Sequence, residues 1–78
     1  MPTVFRSGPY RLYFYSLDRA EPPHVHVQRD ELVAKIWLDP PSLADNEGFS
    51  WRELTRILGL IRENADSLLK AWDDFFSD

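Results

Sequence analysis

Residues 10–16 are mostly hydrophobic, rich in aromatic side chains and without a helical pattern, which is typical of a β-strand. One face of this predicted strand carries the large apolar or aromatic side chains of Tyr10, Leu12 and Phe14. The other face is amphipathic and carries Arg11, Tyr13 and Tyr15. Because successive side chains point to opposite faces of a strand, we expect the first face to be buried. We expect the second face to be half covered by the rest of the protein or to bind a ligand.

Two further alternating segments, His24–Arg29 and Leu32–Leu38, predict a β-hairpin over Asp30-Glu31. The prolines of Glu21-Pro22-Pro23 hold the chain extended where it enters the first segment. A two-residue loop pairs Val27 with Ala34, Val25 with Ile36, His26 with Lys35 and His24 with Trp37. The aliphatic residues then share one face and the histidines share the other, whereas a slip of one residue would mix the faces. The loop lacks the glycine that a type I′ turn favours, so a longer or bulged loop is the alternative.

A helical pattern follows the hairpin. Asp39-Pro40-Pro41-Ser42 ends the last strand, since proline cannot continue a ladder, and residues 43–49 read as a connector. Ser50 and Glu53 have the spacing of a capping box. From there, apolar residues recur in helical phase at Leu54, Ile57, Leu58, Ile61, Ala65, Leu68, Leu69, Trp72 and Phe76.

The length of this helix leaves two alternatives open. A continuous helix would be about 40 Å long, whereas a six-residue strand spans only about 20 Å. Either the helix breaks near Asn64, where Asn64-Ala65-Asp66 would cap a second helix, or its end overhangs the sheet. An overhanging end needs another chain to cover it. We therefore expect a partner interface at the C-terminal aromatic residues Trp72, Phe75 and Phe76.

These elements predict an α+β fold: a small antiparallel sheet of three to four strands, followed by one long or two shorter C-terminal helices packed on one face. We expect a single domain over residues 1–78, with the sheet in residues 1–40 and the helices in residues 50–76. Val4 and Phe5 would add a short edge strand. The expected core consists of Leu12, Phe14, Val25, Val27, Ala34, Ile36, Leu54, Leu58 and Ile61.

Composition and charge restrict the class of protein. The 78 residues suffice for one core, and the absence of cysteine excludes disulfides and thiolate zinc sites. The net charge is −4, and residues 37–78 hold nine Asp/Glu against four Lys/Arg. Such an acidic chain lacks the broad electrostatic attraction that drives nucleic-acid binding. The chain shows no signal peptide and no membrane span, so we expect a cytoplasmic protein.

The candidate chemistry lies at His24 and His26, which share a strand face and titrate near neutral pH. As acid and base, the two rings could cleave RNA without a metal. Phosphate neutralisation and base stacking would then fall to the candidate binding residues Arg11, Tyr13, Tyr15, Lys35 and Trp37, with Arg29 as a further cation. We expect no cofactor, but zinc is the alternative if Glu21 or Asp39 supplies a third ligand. In the plainest interpretation, the rings form hydrogen bonds and seal the sheet against the preceding loop.

Several of these motifs resemble a small bacterial family, domain of unknown function 4160. The resemblance covers nearly the whole chain, through Phe14-Tyr15-Ser16, Glu21-Pro22-Pro23-His24-Val25-His26-Val27, Ala34-Lys35-Ile36-Trp37-Leu38, Gly48-Phe49, Glu53-Leu54, the Ile57 to Ile61 stripe, Leu68-Leu69, Trp72 and Phe76. The turn Leu17-Asp18-Arg19-Ala20 departs from the Asn-Glu-type turn ending in Gly that the family usually has. The resemblance implies no catalytic residues. It implies a gene beside that of another small domain, in an arrangement similar to a toxin–antitoxin pair.

Two functional hypotheses follow. The first is an interaction module of a toxin–antitoxin-like pair, which forms a homodimer or a heteromer with a protein encoded beside it. The second is a small ribonuclease toxin that uses His24 and His26. Exposure of Trp72 and Phe76 in a monomer would favour the first hypothesis. An open pocket holding the histidines with Arg and Lys would favour the second.

Overall fold

The computed structural model describes residues 3–77, which form an antiparallel sheet followed by two C-terminal helices. The strands are β1 (Thr3–Ser7), β2 (Tyr10–Tyr13), β3 (His24–Arg29), β4 (Leu32–Leu38) and β5 (Pro41–Glu47). They lie side by side in the order β1-β2-β3-β4-β5. The helices are α1 (Trp51–Glu63) and α2 (Ala65–Phe76), and a short 3₁₀ helix (Ser16–Ala20) joins β2 to β3. The α+β fold and the edge strand at Val4 and Phe5 are confirmed.

The predicted number of strands is wrong, because the sheet has five strands rather than three to four. The additional strand is β5, which occupies most of the segment that was expected to be a connector. It pairs with β4 from Leu38↔Pro41 to Val33↔Glu47, across an irregularity between Lys35 and Ile36. Pro41 is tolerated because it is the first residue of an edge strand, where a missing N–H breaks no ladder. The sheet therefore extends to Glu47, beyond the predicted limit of residue 40.

The predicted register of the β3–β4 hairpin is confirmed at every position, including His24↔Trp37 and Val25↔Ile36. The loop is the two-residue one, since Arg29 pairs with Leu32. Asp30 adopts a φ of 55°. Aspartate enters this left-handed region more readily than most residues, so the tight turn forms without glycine.

Both helices pack on the sheet face that carries the aliphatic residues of the hairpin. Of the predicted core, Leu12, Phe14, Val25, Val27, Ala34, Ile36, Leu54 and Ile61 are buried. Leu58 is an exception: it is only half-buried, and Ile57 is fully buried instead. Ile57 lies one turn from both Leu54 and Ile61, so these three form the stripe that faces the sheet. Neither helix within residues 3–77 is long and apolar enough to cross a membrane.

The helical segment is interrupted at Asn64, which resolves the two alternatives in favour of a break. Asn64 has φ −117° and ψ 13°, and its side chain donates a hydrogen bond to the carbonyl oxygen of Leu60 at 2.9 Å. After the break, α2 brings three aromatic rings onto Phe14. Their centroids lie 5.2 Å (Trp72), 5.6 Å (Phe75) and 6.1 Å (Phe76) from that of Phe14. Trp72 is buried and the two phenylalanines are half-buried, so no overhanging end of α2 needs another chain to cover it.

The N-terminus of α1 is capped and tied to the sheet by a charged cluster. Ser50 Oγ accepts a hydrogen bond from the backbone N–H of Glu53, as the capping-box spacing predicted. In a full capping box, the Glu53 side chain would bond back to the backbone N–H of Ser50. The Glu53 carboxylate instead accepts hydrogen bonds from Arg29 Nε at 2.6 Å and Nη2 at 2.7 Å, and from the Tyr10 hydroxyl at 2.8 Å. This two-pronged pairing links α1 to β3 and β2.

Replacing Glu53 with Gln should destabilise the protein at neutral pH and have no effect in acid. The hydrogen bonds from Arg29 hold the pKa of Glu53 below its ordinary value, although burial opposes them. A lowered folded-state pKa contributes stability above the unfolded-state pKa and loses it as the pH falls through the folded-state value. Urea unfolding of both proteins, from neutral pH to about pH 3, should therefore show two curves that converge in acid. Glu63→Gln is the control, since Glu63 is exposed and forms no ion pair with another of residues 3–77. A difference that persists unchanged in acid would contradict this account.

Candidate functional site

The five predicted binding residues lie together on one side of the sheet. Tyr13 is buried, with 3% of its surface exposed, so only Arg11, Tyr15, Lys35 and Trp37 reach the protein surface. We call this side the open face: the side of the sheet opposite Val25 and Ile36, together with Tyr15, which lies two residues after β2 and caps the 3₁₀ helix. The guanidinium of Arg11 lies 4.4 Å from the ring centroid of Tyr13, and Tyr13 and Tyr15 form an edge-to-face pair at 5.4 Å. On the next strands, the ammonium of Lys35 lies 4.8 Å from the ring centroid of Trp37.

The two histidines connect these groups into a continuous array. The ring of His26 stacks on Tyr13 at 5.4 Å and meets the edge of Tyr15 at 4.6 Å. His24 lies 5.2 Å from His26 and 5.5 Å from Trp37. The spacing of β3 explains this geometry, since residues two apart project to the same side of the sheet. The array therefore runs across β2, β3 and β4 without a gap.

Asp18 completes the site, and the analysis of the sequence missed it. Its Oδ1 lies 3.1 Å from Nε2 of His24, and its Oδ2 lies 3.0 Å from Nε2 of His26. The backbone N–H of Tyr15 donates a hydrogen bond to Oδ2 at 2.8 Å. One carboxylate thus joins both histidines to the loop that crosses over them.

The two acids predicted as a possible third zinc ligand, Glu21 and Asp39, do not belong to the group of ligand atoms that lie within 4.8 Å of one another, whereas Asp18 does. Glu21 is paired with Lys35, and Asp39 is exposed beyond the end of β4. Topology explains why Asp18 lies beside both histidines. The loop from β2 to β3 lies at the end of the sheet where β3 begins, so its middle passes over the first residues of β3. The available signal was an acid in the middle of a hairpin loop next to a His-x-His strand start.

His24 is completely buried, and both of its ring nitrogens face protein groups. Its Nδ1 lies 2.9 Å from the carbonyl oxygen of Pro22. A carbonyl only accepts hydrogen bonds, so Nδ1 carries a proton and donates it. Nε2 is buried and forms no hydrogen bond with any described residue, although Asp18 Oδ1 is close. The Pro22-Pro23 segment thus fixes the orientation of the His24 ring.

The charge states of the site follow from burial and from neighbouring charges. Burial alone would raise the pKa of Asp18, but the hydrogen bond from Tyr15 and the charges of both histidines outweigh it, and the pKa lies below its usual value. Burial lowers the pKa of His26 by more than Asp18 raises it. At neutral pH, therefore, an ionised Asp18 faces a neutral His26. Burial and the hydrogen bond with Tyr15 raise the pKa of Tyr13 to about 12, so this phenol stays protonated.

This geometry is unsuited to acid–base cleavage of RNA. A general base must come within about 3 Å of the proton that it removes. His24 exposes no surface to a substrate, and the exposed fraction of the His26 side chain is 13%. The arrangement agrees instead with the plainest interpretation, in which the rings seal the sheet against the preceding loop.

A cavity of about 230 Å³ opens on the same face, beside His26. Its lining includes Tyr15, His26, Val33, Lys35, Asp45 and Glu47. Asp45 and Glu47 lie on the edge strand β5, and neither forms an ion pair with another of residues 3–77. The cavity therefore has an aromatic and apolar side and an acidic rim.

Comparison with known proteins identifies the family of the chain but finds no individual protein that matches it. The family model described as Domain of unknown function (DUF4160) matches residues 10–73, which include β2 to β5, α1 and most of α2. Every residue of the array and Asp18 fall inside the match. No curated protein and no solved structure matches the chain.

Proposed function

The chain belongs to the family described as Domain of unknown function (DUF4160), and we propose that it is an interaction module that binds a partner protein through the open face of its sheet. The observation that carries this proposal is that Arg11, Tyr15, Lys35 and Trp37 of the array reach one surface, supported from beneath by the buried ring of Tyr13. Tyrosine, tryptophan and arginine are the residues most enriched among those that dominate binding energy at protein interfaces.

The burial of the C-terminal aromatic residues also favours the open face. Trp72, Phe75 and Phe76 pack against Phe14 inside the chain, and Trp72 has only 7% of its surface exposed. Tyr15, in contrast, is 38% exposed at the rim of the cavity. We therefore place the main contact at the array and leave a peripheral role to Phe75 and Phe76.

Charge suggests what the partner presents to this surface. Asp45 and Glu47 lie two residues apart on β5 and line one side of the cavity. A basic side chain of the partner would fit there, with its aliphatic stem against Val33 and its charge between the two carboxylates. The same acidic rim disfavours a phosphate backbone, so RNA is the weaker candidate ligand.

For the partner itself, we propose the small protein encoded beside this one, in a pair similar to a toxin and its antitoxin. This step rests on the resemblance to the family. A homodimer through the same face is the alternative, and light scattering on the isolated chain distinguishes the two.

Co-expression of the two genes, followed by co-purification and titration calorimetry, tests the proposal. Tyr15→Ala and Asp45→Lys should each weaken binding by about tenfold or more, because they remove an aromatic contact and reverse the charge of the rim. Trp51→Ala is the matched control: Trp51 is an aromatic residue 74% exposed on α1, and its loss should change affinity less than about twofold. If the wild-type proteins do not associate, or if only the Trp51 variant loses binding, the open face is not the interface.

A further inference from the structure

We propose that Asp18, His24 and His26 form a binding site for a divalent transition-metal ion, and that zinc is the ion it prefers. The site would use Nε2 of both imidazoles and the carboxylate oxygens of Asp18. These ligand atoms all lie within 4.8 Å of one another. This inference is independent of the proposed partner, since it concerns the side of the array that the 3₁₀ helix covers.

The distances suit a shared ion. Zinc binds imidazole nitrogen and carboxylate oxygen at about 2.0–2.2 Å, so two donors on one tetrahedral ion lie about 3.3 Å apart. The corresponding separations are 3.1 Å between Asp18 Oδ1 and His24 Nε2, and 3.0 Å between Asp18 Oδ2 and His26 Nε2. The three donors lie within 4.8 Å of one another, so both imidazole rings and the carboxylate would move closer to reach the separation of about 3.3 Å. His26 would also transfer the proton of its hydrogen bond with Asp18 from Nε2 to Nδ1.

The hydrogen bond to Pro22 prepares His24 for this role. Because Nδ1 donates to the Pro22 carbonyl, the neutral ring presents the lone pair of Nε2. Metal-bound histidines characteristically donate their other ring N–H to a backbone carbonyl or a carboxylate, which fixes the tautomer and orients the ring. Pro22 therefore supplies the outer contact that such a ligand needs.

The buried nitrogen of His24 is the observation that points to a ligand. His24 is 0% exposed, and its Nε2 forms no hydrogen bond with any of residues 3–77. An oxygen of the Asp18 carboxylate lies 3.1 Å from this nitrogen without forming a hydrogen bond to it. A cation bound to both atoms would satisfy the buried nitrogen.

The ligand set indicates the kind of ion. Two imidazoles and one carboxylate suit zinc and its first-row neighbours, whereas magnesium and calcium prefer oxygen ligands throughout. Three protein ligands leave a fourth position for water or another group, as in many zinc sites. Binding would also fasten the 3₁₀ helix to β3, and so hold Tyr15 in place at the edge of the array.

Zinc titration of the full chain, after dialysis against a chelator, tests the site. We expect one ion per chain and a rise in melting temperature on the order of 10 °C at a hundredfold excess over Kd. Magnesium should produce neither effect. Asp18→Asn and His26→Gln should each weaken zinc binding more than about a hundredfold. The acid controls Asp45→Asn and Glu21→Gln should bind zinc as the wild type does.

NMR spectroscopy of the wild-type protein tests the zinc site even if the variants fold poorly. The chain has two histidines, so long-range ¹H–¹⁵N correlation spectra resolve all four ring nitrogens. Zinc should shift both Nε2 resonances and leave His24 Nδ1 protonated. The proposal fails if zinc shifts neither ring, if no zinc binds, or if zinc binds unchanged to Asp18→Asn or His26→Gln. In each of these cases, the cluster is only a hydrogen-bonded connection between the loop and the sheet.

Discussion

Val25→Asp should leave the chain unfolded in water at room temperature. Val25 is 0% exposed and pairs with Ile36 in the middle of the sheet, on the face that α1 and α2 cover. An unpaired carboxylate there costs several kcal/mol. A domain of this size has a stability of only about 4–12 kcal/mol, so the substitution removes most or all of it. Far-UV circular dichroism and the dispersion of the proton NMR spectrum should both show the loss of structure.

The same substitution at Val33 provides the control. Val33 lies on the neighbouring strand but is half-buried on the open face, where it lines the cavity. Val33→Asp should therefore remain folded, with a stability loss of about 1 kcal/mol. If Val33→Asp unfolds the protein and Val25→Asp does not, the two faces of the sheet have been assigned the wrong way round.

Phe14→Ala should lower the free energy of unfolding by about 3–5 kcal/mol, the usual cost of deleting a buried aromatic ring. Phe14 is 0% exposed and contacts Trp72, Phe75 and Phe76, so its loss would leave a cavity beneath the C-terminal part of α2. Urea denaturation measures the change directly.

A double-mutant cycle shows whether the C-terminal aromatic residues belong to this core. Phe76→Ala in the Phe14→Ala background should cost less than it does in the wild type, because the two rings are in contact. Trp51→Ala, which removes an exposed ring, should change stability by less than about 0.5 kcal/mol. Additive losses at Phe14 and Phe76 would indicate that α2 does not pack on Phe14, and would restore the C-terminus as a candidate interface.

The register of the central hairpin could be predicted because several local signals agree. Pro22 and Pro23 exclude helix before His24, and the alternation of valines and histidines leaves one register that keeps the apolar residues together. The helical stripe was equally clear. Its break at Asn64 could not be decided from periodicity, because Leu68 and Trp72 stay in phase across it.

The features that the sequence did not reveal depend on contacts between distant segments. β5 begins with proline and is mostly polar, so its own residues do not favour a strand, and pairing with β4 determines its structure. The sequence shows Asp18 only as part of the turn Leu17-Asp18-Arg19-Ala20. Its role arises only when the loop folds back over β3 and brings the carboxylate to both histidines.

The hydrogen bonds of Glu53 likewise depend on a contact between distant segments, which the local sequence does not reveal. The spacing from Ser50 predicts a reciprocal cap, and the half that involves the Ser50 side chain is present. The Glu53 carboxylate instead binds Arg29, 24 residues earlier, because a charge-assisted pair is stronger than the contact with the Ser50 backbone. Local spacing predicted where α1 begins, but it could not predict which group the Glu53 carboxylate would bind.

The indole N–H resonances of the three tryptophans provide the most direct test of the proposed interface. Trp37 lies on the open face, Trp51 is exposed on α1, and Trp72 is buried where α2 packs on the sheet. Titration with the proposed partner should shift or broaden the Trp37 signal most and leave that of Trp51 unchanged. Because Trp72 lies 5.2 Å from His24, a small secondary shift is expected there. An unchanged Trp37 signal in the bound state, with the largest shift at Trp51 or Trp72, would contradict binding through the open face.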